Sequence, residues 1–280
     1  MIPAKSCLII FLTMGLCLFG GCGNNTTPGP ESATASEAIP PDSLVLILLD
    51  KTLSLGDKDV QLKFEQPIRS RLVDLIRKKD HQVMVYFIHG NTSGAQAAFK
   101  GAITADKPSD QELNELGGQS RTDRKNKYRQ DINQQRSQIA DKVKEALMAP
   151  NPEPTNRQTD LWASLEIMSR AFSTSRPEDK KYVFFVSDME ESVIGANRRD
   201  FTRMPPKDKT EAEAWAGQDM EVIKQLYKLQ PDVLQGISAT IFLPKAAFEN
   251  SGFQTIRYYW EALFGSFGIN LGEVRGIELE

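Results

Sequence analysis

The sequence predicts an α/β fold: a doubly wound, mostly parallel sheet with helices on both faces, extended by a long inserted helix. Three observations lead there. Short apolar runs without polar alternation recur along the chain, as strands buried on both faces of a parallel sheet require. Stretches with apolar residues at helical spacing lie between them. Strand and helix alternate in regular succession, the pattern of βαβ units, and the fixed hand of such crossovers leaves few topologies.

Ser43 to Leu49 is the first run and ends at Asp50. Pro67 to Lys79 sets Ile68, Leu72, Leu75 and Ile76 on one helical face. Val83 to Ile88 reads as a second buried strand, and Phe99 to Ile103 as a short edge strand. Ala105 to Pro154 is rich in charges of both signs, yet Tyr128, Ile132, Ile139, Val143 and Leu147 recur at helical spacing. That predicts a long helix with one narrow apolar stripe, either laid along the sheet or projecting toward a partner. Most such stripes are core, which favours docking. Pro150, Pro152 and Pro154 stop the helix. Leu161 to Phe172 is a further helical pattern, and Lys181 to Ser187 a third strong strand leading into Asp188. Thr210 to Leu229 reads as helix, Ile237 to Leu243 as the fourth strong strand, and Phe253 to Phe264 as the last helix.

Composition narrows the function. The 280 residues are 40% hydrophobic and 25% charged, an ordinary globular balance that excludes wholesale disorder and multi-span membrane proteins. A net charge of -3 lacks the basic footprint of a nucleic-acid binder, so no nucleic-acid partner is expected. Cys7, Cys17 and Cys22 are the only cysteines and all precede residue 23. The body therefore has no thiol chemistry, disulfide or cysteine zinc site. Two histidines, His81 and His89, are too few for a His-rich metal site, and both read as structural or surface residues. No Ser-His-Asp, HExxH or P-loop pattern is present, and an enzyme is not expected.

Residues 1–22 have one early charge, Lys5, then a short apolar run and the small residues Gly20 and Gly21. This is a secretory leader rather than fold material, and its run is shorter than the roughly 20 residues of a spanning helix. Leu18-Phe19-Gly20-Gly21-Cys22 resembles a bacterial lipoprotein signal. The resemblance implies that Cys22 is lipidated, becomes the mature N-terminus and tethers the body to a membrane in the cell envelope, outside the cytoplasm. Gly23 rather than aspartate after the cysteine implies the outer membrane in a two-membrane cell. Ordinary secretion with cleavage nearby is the alternative. Residues 23–42 lack aromatics and are rich in Pro, Ser, Thr and Gly, a flexible linker. The domain proper is expected over 43–280, with its helical insertion at about 105–154.

Ligands of an open parallel sheet bind beyond the carboxyl ends of its strands, where the strand order reverses. The first strand ends in Asp50-Lys51-Thr52-Leu53-Ser54 and the third strong strand in Ser187-Asp188-Met189-Glu190-Glu191. Short oxygen-bearing side chains without thiol or imidazole suit a hard cation such as Mg²⁺, Mn²⁺ or Ca²⁺.

Asp50-x-Thr52-x-Ser54 after the first buried strand resembles the Asp-x-Ser-x-Ser element of von Willebrand factor type A domains, and the resemblance covers roughly Ser43 to Leu271. It implies a metal-ion-dependent adhesion site in a doubly wound fold. Thr159, in Arg157-Gln158-Thr159-Asp160-Leu161, fits the family's later threonine, and Asp188 its strand-end aspartate. By this resemblance Thr52 and Ser54 would bind the cation directly, Asp50 through water or weakly, and Thr159 and Asp188 would complete the set. Mg²⁺ is the expected ion, and a protein partner would engage it through an acidic side chain. The bland alternatives are that Asp50, Asp188 and Thr159 merely cap helices, and that Glu190 and Glu191 tune the charge of the site or solvate a loop. Two further functions compete: a scaffold of the same fold with an empty site, and a haloacid-dehalogenase-type phosphotransferase, whose phosphorylated aspartate element Asp50-Lys51-Thr52 also resembles.

Overall fold

The computed structural model describes residues 42–52, 55, 58–152, 157–195 and 197–278. Ser54, Cys22, the rest of the leader and linker residues 23–41 lie outside the described residues. The described strands are β1 (Ser43–Asp50), β2 (Gln82–Ile88), β3 (Ala97–Ala102), β4 (Lys180–Val186), β5 (Ser238–Pro244) and β6 (Asn270–Ile277). They form one sheet in the order β3-β2-β1-β4-β5-β6. Every pairing is parallel except β2 with β3. The order reverses between β1 and β4, which defines the doubly wound fold and its switch point.

Both faces of the sheet are covered, which is why the central strands are uniformly apolar: all eight residues of β1 are buried. On one face Leu44, Leu46, Leu48, Val183, Phe185 and Ile241 pack with residues of α5 (Ala163–Ala171), α6 (Lys209–Leu226) and α9 (Ser251–Ser266). On the other, Val45, Ile47, Leu49, Phe184 and Val186 pack with Ile68 and Leu72 of α2 (Glu65–Leu75) and with α4 (Gly118–Met148). Shorter helices are α1 (Lys58–Lys63), α3 (Asp110–Glu115), α7 (Pro231–Leu234) and α8 (Lys245–Phe248).

The long inserted helix is α4, and it docks. Ile132, Ile139, Val143 and Leu147 are buried and Tyr128 packs beside them, each fully buried aliphatic side chain contributing roughly 1.5–3 kcal/mol. Arg136 fastens the helix by donating from Nε to the Ile76 carbonyl at 2.7 Å.

Three expectations need correction, and one strand was not expected. The helix expected over Pro67 to Lys79 is α2, which stops at Leu75. Here His81 is not a surface residue: it is buried, and its Nδ1 accepts the Arg77 N–H at 3.1 Å, closing the end of the helix. Asp42, placed above in the linker, is bound into the body. Its N–H donates to Asp179 and it pairs with Lys78 and Arg176. Strand β6 has no counterpart in the reading above, because its glycines and alternating Glu273 and Arg275 lack a buried strand's pattern.

Candidate functional site

Site residues hang from the carboxyl ends of β1 and β4, on either side of the switch point. Asp50 is the last residue of β1 and is completely buried. Its Oδ1 accepts the Thr52 N–H at 2.9 Å and the Thr52 hydroxyl at 2.6 Å. Its Oδ2 accepts the Ser187 hydroxyl at 2.9 Å. Thr159, on the loop entering α5, donates its hydroxyl to that of Thr52 at 3.1 Å, joining residues 107 apart in sequence. The hydroxyls of Thr52 and Ser187 thus spend their protons on Asp50 and turn lone pairs elsewhere. Asp188 is half-buried and close enough for its charge to act on Asp50.

The two carboxylates oppose each other. Burial first, then the Asp188 charge, push the Asp50 carboxyl from its ordinary 3.8 up to about 7, against the hydrogen bonds from Thr52 and Ser187 that pull it down. None of the ion pairs among the described residues involves Asp50, since Lys51 is turned away from it. The Lys51 ammonium is buried and donates to Gln61 Oε1 at 2.5 Å and to the Leu147 carbonyl at 2.8 Å, at the end of α4. Gln61 in turn donates to the carbonyls of Asp50 and Leu55, and so shapes the loop that carries Thr52.

Met189 fixes the second loop. It adopts φ 64°, a left-handed conformation that costs of order 1–3 kcal/mol for a residue with a side chain. Three contacts impose it. Its N–H donates to Ser187 Oγ at 3.0 Å, its carbonyl accepts the Trp260 indole at 2.9 Å, and its side chain is fully buried. Glu190 follows, its N–H donating to Asp188 Oδ1 at 3.1 Å. Burial, and then the charges of Asp188 and Asp200, push the Glu190 carboxyl up to about 7.

Glu191 does not solvate a loop. It is fully buried, and its Oε2 accepts the N–H groups of Leu161 and Trp162 at 2.8 and 3.0 Å. It thereby caps the entry to α5 from another loop. Asp160 caps the same turn by accepting the Ala163 N–H at 3.2 Å. Among the described residues the side chains of Thr159 and Asp50 cap no helix: the Thr159 hydroxyl goes to Thr52 and the Asp50 oxygens accept from Thr52 and Ser187, while the Thr159 N–H goes to Ser192 Oγ at 2.8 Å. Arg198 bridges the two capping carboxylates at 2.6 Å each and lies 4.6 Å from the Trp162 ring. Burial lowers the Arg198 guanidinium and the two carboxylates more than restore it, leaving it raised. Burial pushes the Glu191 carboxyl up to about 7 against the pull of Arg198. His89 is buried; its Nδ1 accepts the Asn91 N–H and its carbonyl the Asp160 N–H, so it ties the β2 loop to the α5 entry.

Of the residues singled out in the sequence, Asp50, Thr52, Thr159 and Asp188 thus come together, while Ser54 lies outside the described residues. Ser187 and Ser192 were not singled out, and their only signal was adjacency to a strand-end aspartate and a loop glutamate. Among the described residues no three His, Cys, Asp or Glu side chains gather closely enough to hold an ion by themselves. Any cation here would rest on two carboxylates and several hydroxyls, an all-oxygen set of the kind hard cations take.

No family model matches the chain, and no curated protein matches it. Solved structures similar to it include a von Willebrand factor type A protein from Catenulispora acidiphila, at 12% identity and TM-score 0.42, covering 84% of this chain and 39% of that one. The pilus adhesin SpaC from Lactobacillus rhamnosus GG is similar at 12% identity and TM-score 0.39, over 85% of this chain and 28% of that one. Manganese-loaded TRAP protein from Plasmodium vivax is similar at 12% identity and TM-score 0.31, over 72% and 57%. This chain spans less than two thirds of the length of each. Its doubly wound fold follows from the strand pairing itself.

Proposed function

We propose that this chain is a non-enzymatic binding module, tethered to a membrane of the bacterial cell envelope through lipid on Cys22, that holds a divalent cation and engages a protein partner there. Asp50, Thr52, Thr159 and Asp188 would hold the ion, with Ser54 added by the resemblance to von Willebrand factor type A domains. Mg²⁺ fits this oxygen set best, with Mn²⁺ or Ca²⁺ as substitutes. A bound cation would supply positive charge at a site whose protein groups are acidic or neutral, and an acidic side chain of the partner would complete its coordination.

The observation that carries this reading is the Thr52–Thr159 hydroxyl contact beside Asp50. It draws two distant loops onto a buried carboxylate that enters no ion pair among the described residues, next to a second carboxylate that repels it. Buried charge is costly unless paired, and a divalent cation would pair the buried Asp50.

A scaffold with an empty site is the second reading. It is favoured by the Thr52 and Ser187 hydrogen bonds, which satisfy Asp50 without any ion. The phosphotransferase reading is opposed by the same bonds, which hold both oxygens of the would-be nucleophile, and by Lys51, which is engaged beneath α4. Thermal unfolding of the full chain in Mg²⁺, Mn²⁺ and EDTA, for wild type and Asp50→Ala, tests the choice. A ligand bound only to the folded state raises stability by about 2.7 kcal/mol at a hundred times its dissociation constant. The cation reading expects a rise in wild type that Asp50→Ala loses. No rise in wild type leaves the scaffold.

A further inference from the structure

A cavity of about 270 Å³ opens beside Asp188, between the loop after β4 and the start of α9. Asp188 and Glu190 form its acidic side, and Phe201, Phe253 and Ile256 give it an apolar lining. Met204 and Phe248, 69% and 41% exposed, are chain neighbours of the lining residues Pro205 and Ala247. The volume falls just below the roughly 300–1,000 Å³ of small-molecule sites, the scale of one long side chain rather than a cofactor.

Charge selects the occupant. The Glu190 carboxylate enters none of the ion pairs among the described residues. The basic residues next in sequence to the lining pair elsewhere: Arg203 with Asp200, Lys207 with Glu211, and Lys245 with Glu249 and Glu278. The positive end of α9 also faces this region, but Asn250 Oδ1 caps it by accepting the Gly252 N–H at 2.9 Å. An apolar lining with a carboxylate on one side matches a side chain with an aliphatic stem and a cationic head.

The geometry points to a subsite for a basic side chain, arginine above all, on the same polypeptide partner whose acidic side chain meets the cation. The cavity itself stands independently of the cation reading. Its pairing with an acidic neighbour rests on that reading, because Asp188 belongs to both places.

The test is methyl NMR of the full chain, following Ile256 and Ala247, titrated with N-acetyl-arginine amide and with its neutral isostere N-acetyl-citrulline amide. The arginine probe should move both resonances in EDTA and in Mg²⁺, and the citrulline probe should bind about tenfold more weakly, the scale of one lost charged hydrogen bond. Glu190→Gln, checked for an unchanged melting temperature, should weaken the arginine probe to the same degree. Equal binding of the two probes, no movement with arginine, or an arginine affinity unaltered in Glu190→Gln would each overturn the subsite. In Mg²⁺, N-acetyl-Asp-Arg amide should bind at least about tenfold more tightly than the arginine probe alone, the gain expected of linked sites. If the arginine probe binds but the dipeptide gains nothing, the subsite stands and its link to the cation is refuted. A chain whose melting temperature ignores Mg²⁺ while arginine still binds refutes only the cation reading.

Discussion

Two polar clusters draw residues from the same two loops, the one after β4 and the one entering α5, and they handle buried carboxylates in opposite ways. Glu191 and Asp160 share Arg198 at 2.6 Å each and cap the backbone of α5. Their two carboxylates are met inside the fold by one guanidinium. Asp50 is equally buried but, among the described residues, receives only hydroxyl and backbone donors, with Asp188 adding like charge. A cluster that carries its own counter-charge is built to hold loops in place. A buried carboxylate such as Asp50, which enters no ion pair among the described residues, is suited to receive a cation from outside. The first also serves the second, because the same loops that Glu191 and Arg198 pin carry Thr159 and Asp188.

Breaking the balanced cluster should have the largest effect. Arg198→Ala leaves two buried carboxylates facing each other, and removing one partner of a buried pair costs about 3–5 kcal/mol. For a domain of this size that is a fall of about 6–20 °C in melting temperature, with or without Mg²⁺, read by calorimetry. A fall of only a degree or two would mean that Arg198 balances nothing.

The response of the acid profile to Mg²⁺ separates the clusters next. Asp50 and Glu191 each titrate near 7 in the folded chain, against ordinary values of 3.8 and 4.5. The folded state therefore binds more protons than the unfolded state across that window, so stability in EDTA is greatest below it and declines as pH rises through about 7. Asp50→Asn should remove part of that decline, and saturating Mg²⁺ should remove the same part by favouring the ionised carboxylate. The part owed to Glu191 should persist in Mg²⁺. Melting curves across the acid range would show it, and a flat profile in EDTA contradicts the pairing scheme.

The smallest effect expected on stability is at Thr159. Among the described residues its hydroxyl makes one hydrogen bond, to Thr52, so Thr159→Ala should cost only about 0.5–1.5 kcal/mol in EDTA. Mg²⁺ affinity should nevertheless drop about tenfold or more, a loss of the kind seen when a metal's supporting groups are removed. Thr159→Ser should restore it. Equal loss of stability with unaltered Mg²⁺ affinity would make Thr159 a loop fastener and nothing else.

How much of this was legible depended on whether the signal was local. β1, β2, β4 and β5 are buried on both faces and announce themselves as unbroken apolar runs, whereas β6 at the sheet edge alternates charge with glycine and does not. The stripe of α4 was legible because its docking residues recur at helical spacing. Asp50, Thr52 and Asp188 were legible because strand ends deliver them to one edge, and Thr159 through the resemblance to von Willebrand factor type A domains. Glu191 and Arg198 were not, since a buried ion pair that caps a helix from another loop leaves no periodic trace in sequence. The fit of His81 into the end of α2 depends on a turn at Asp80, φ 68°, and was hidden for the same reason.

Titration calorimetry of Mg²⁺ into the metal-free full chain near neutral pH probes the unbalanced cluster directly. One ion should bind per chain, with a heat that varies with the buffer because the partly protonated Asp50 must release its proton, and Asp50→Asn should abolish binding. Absence of binding in wild type, or binding that Asp50→Asn leaves unchanged, would contradict the account.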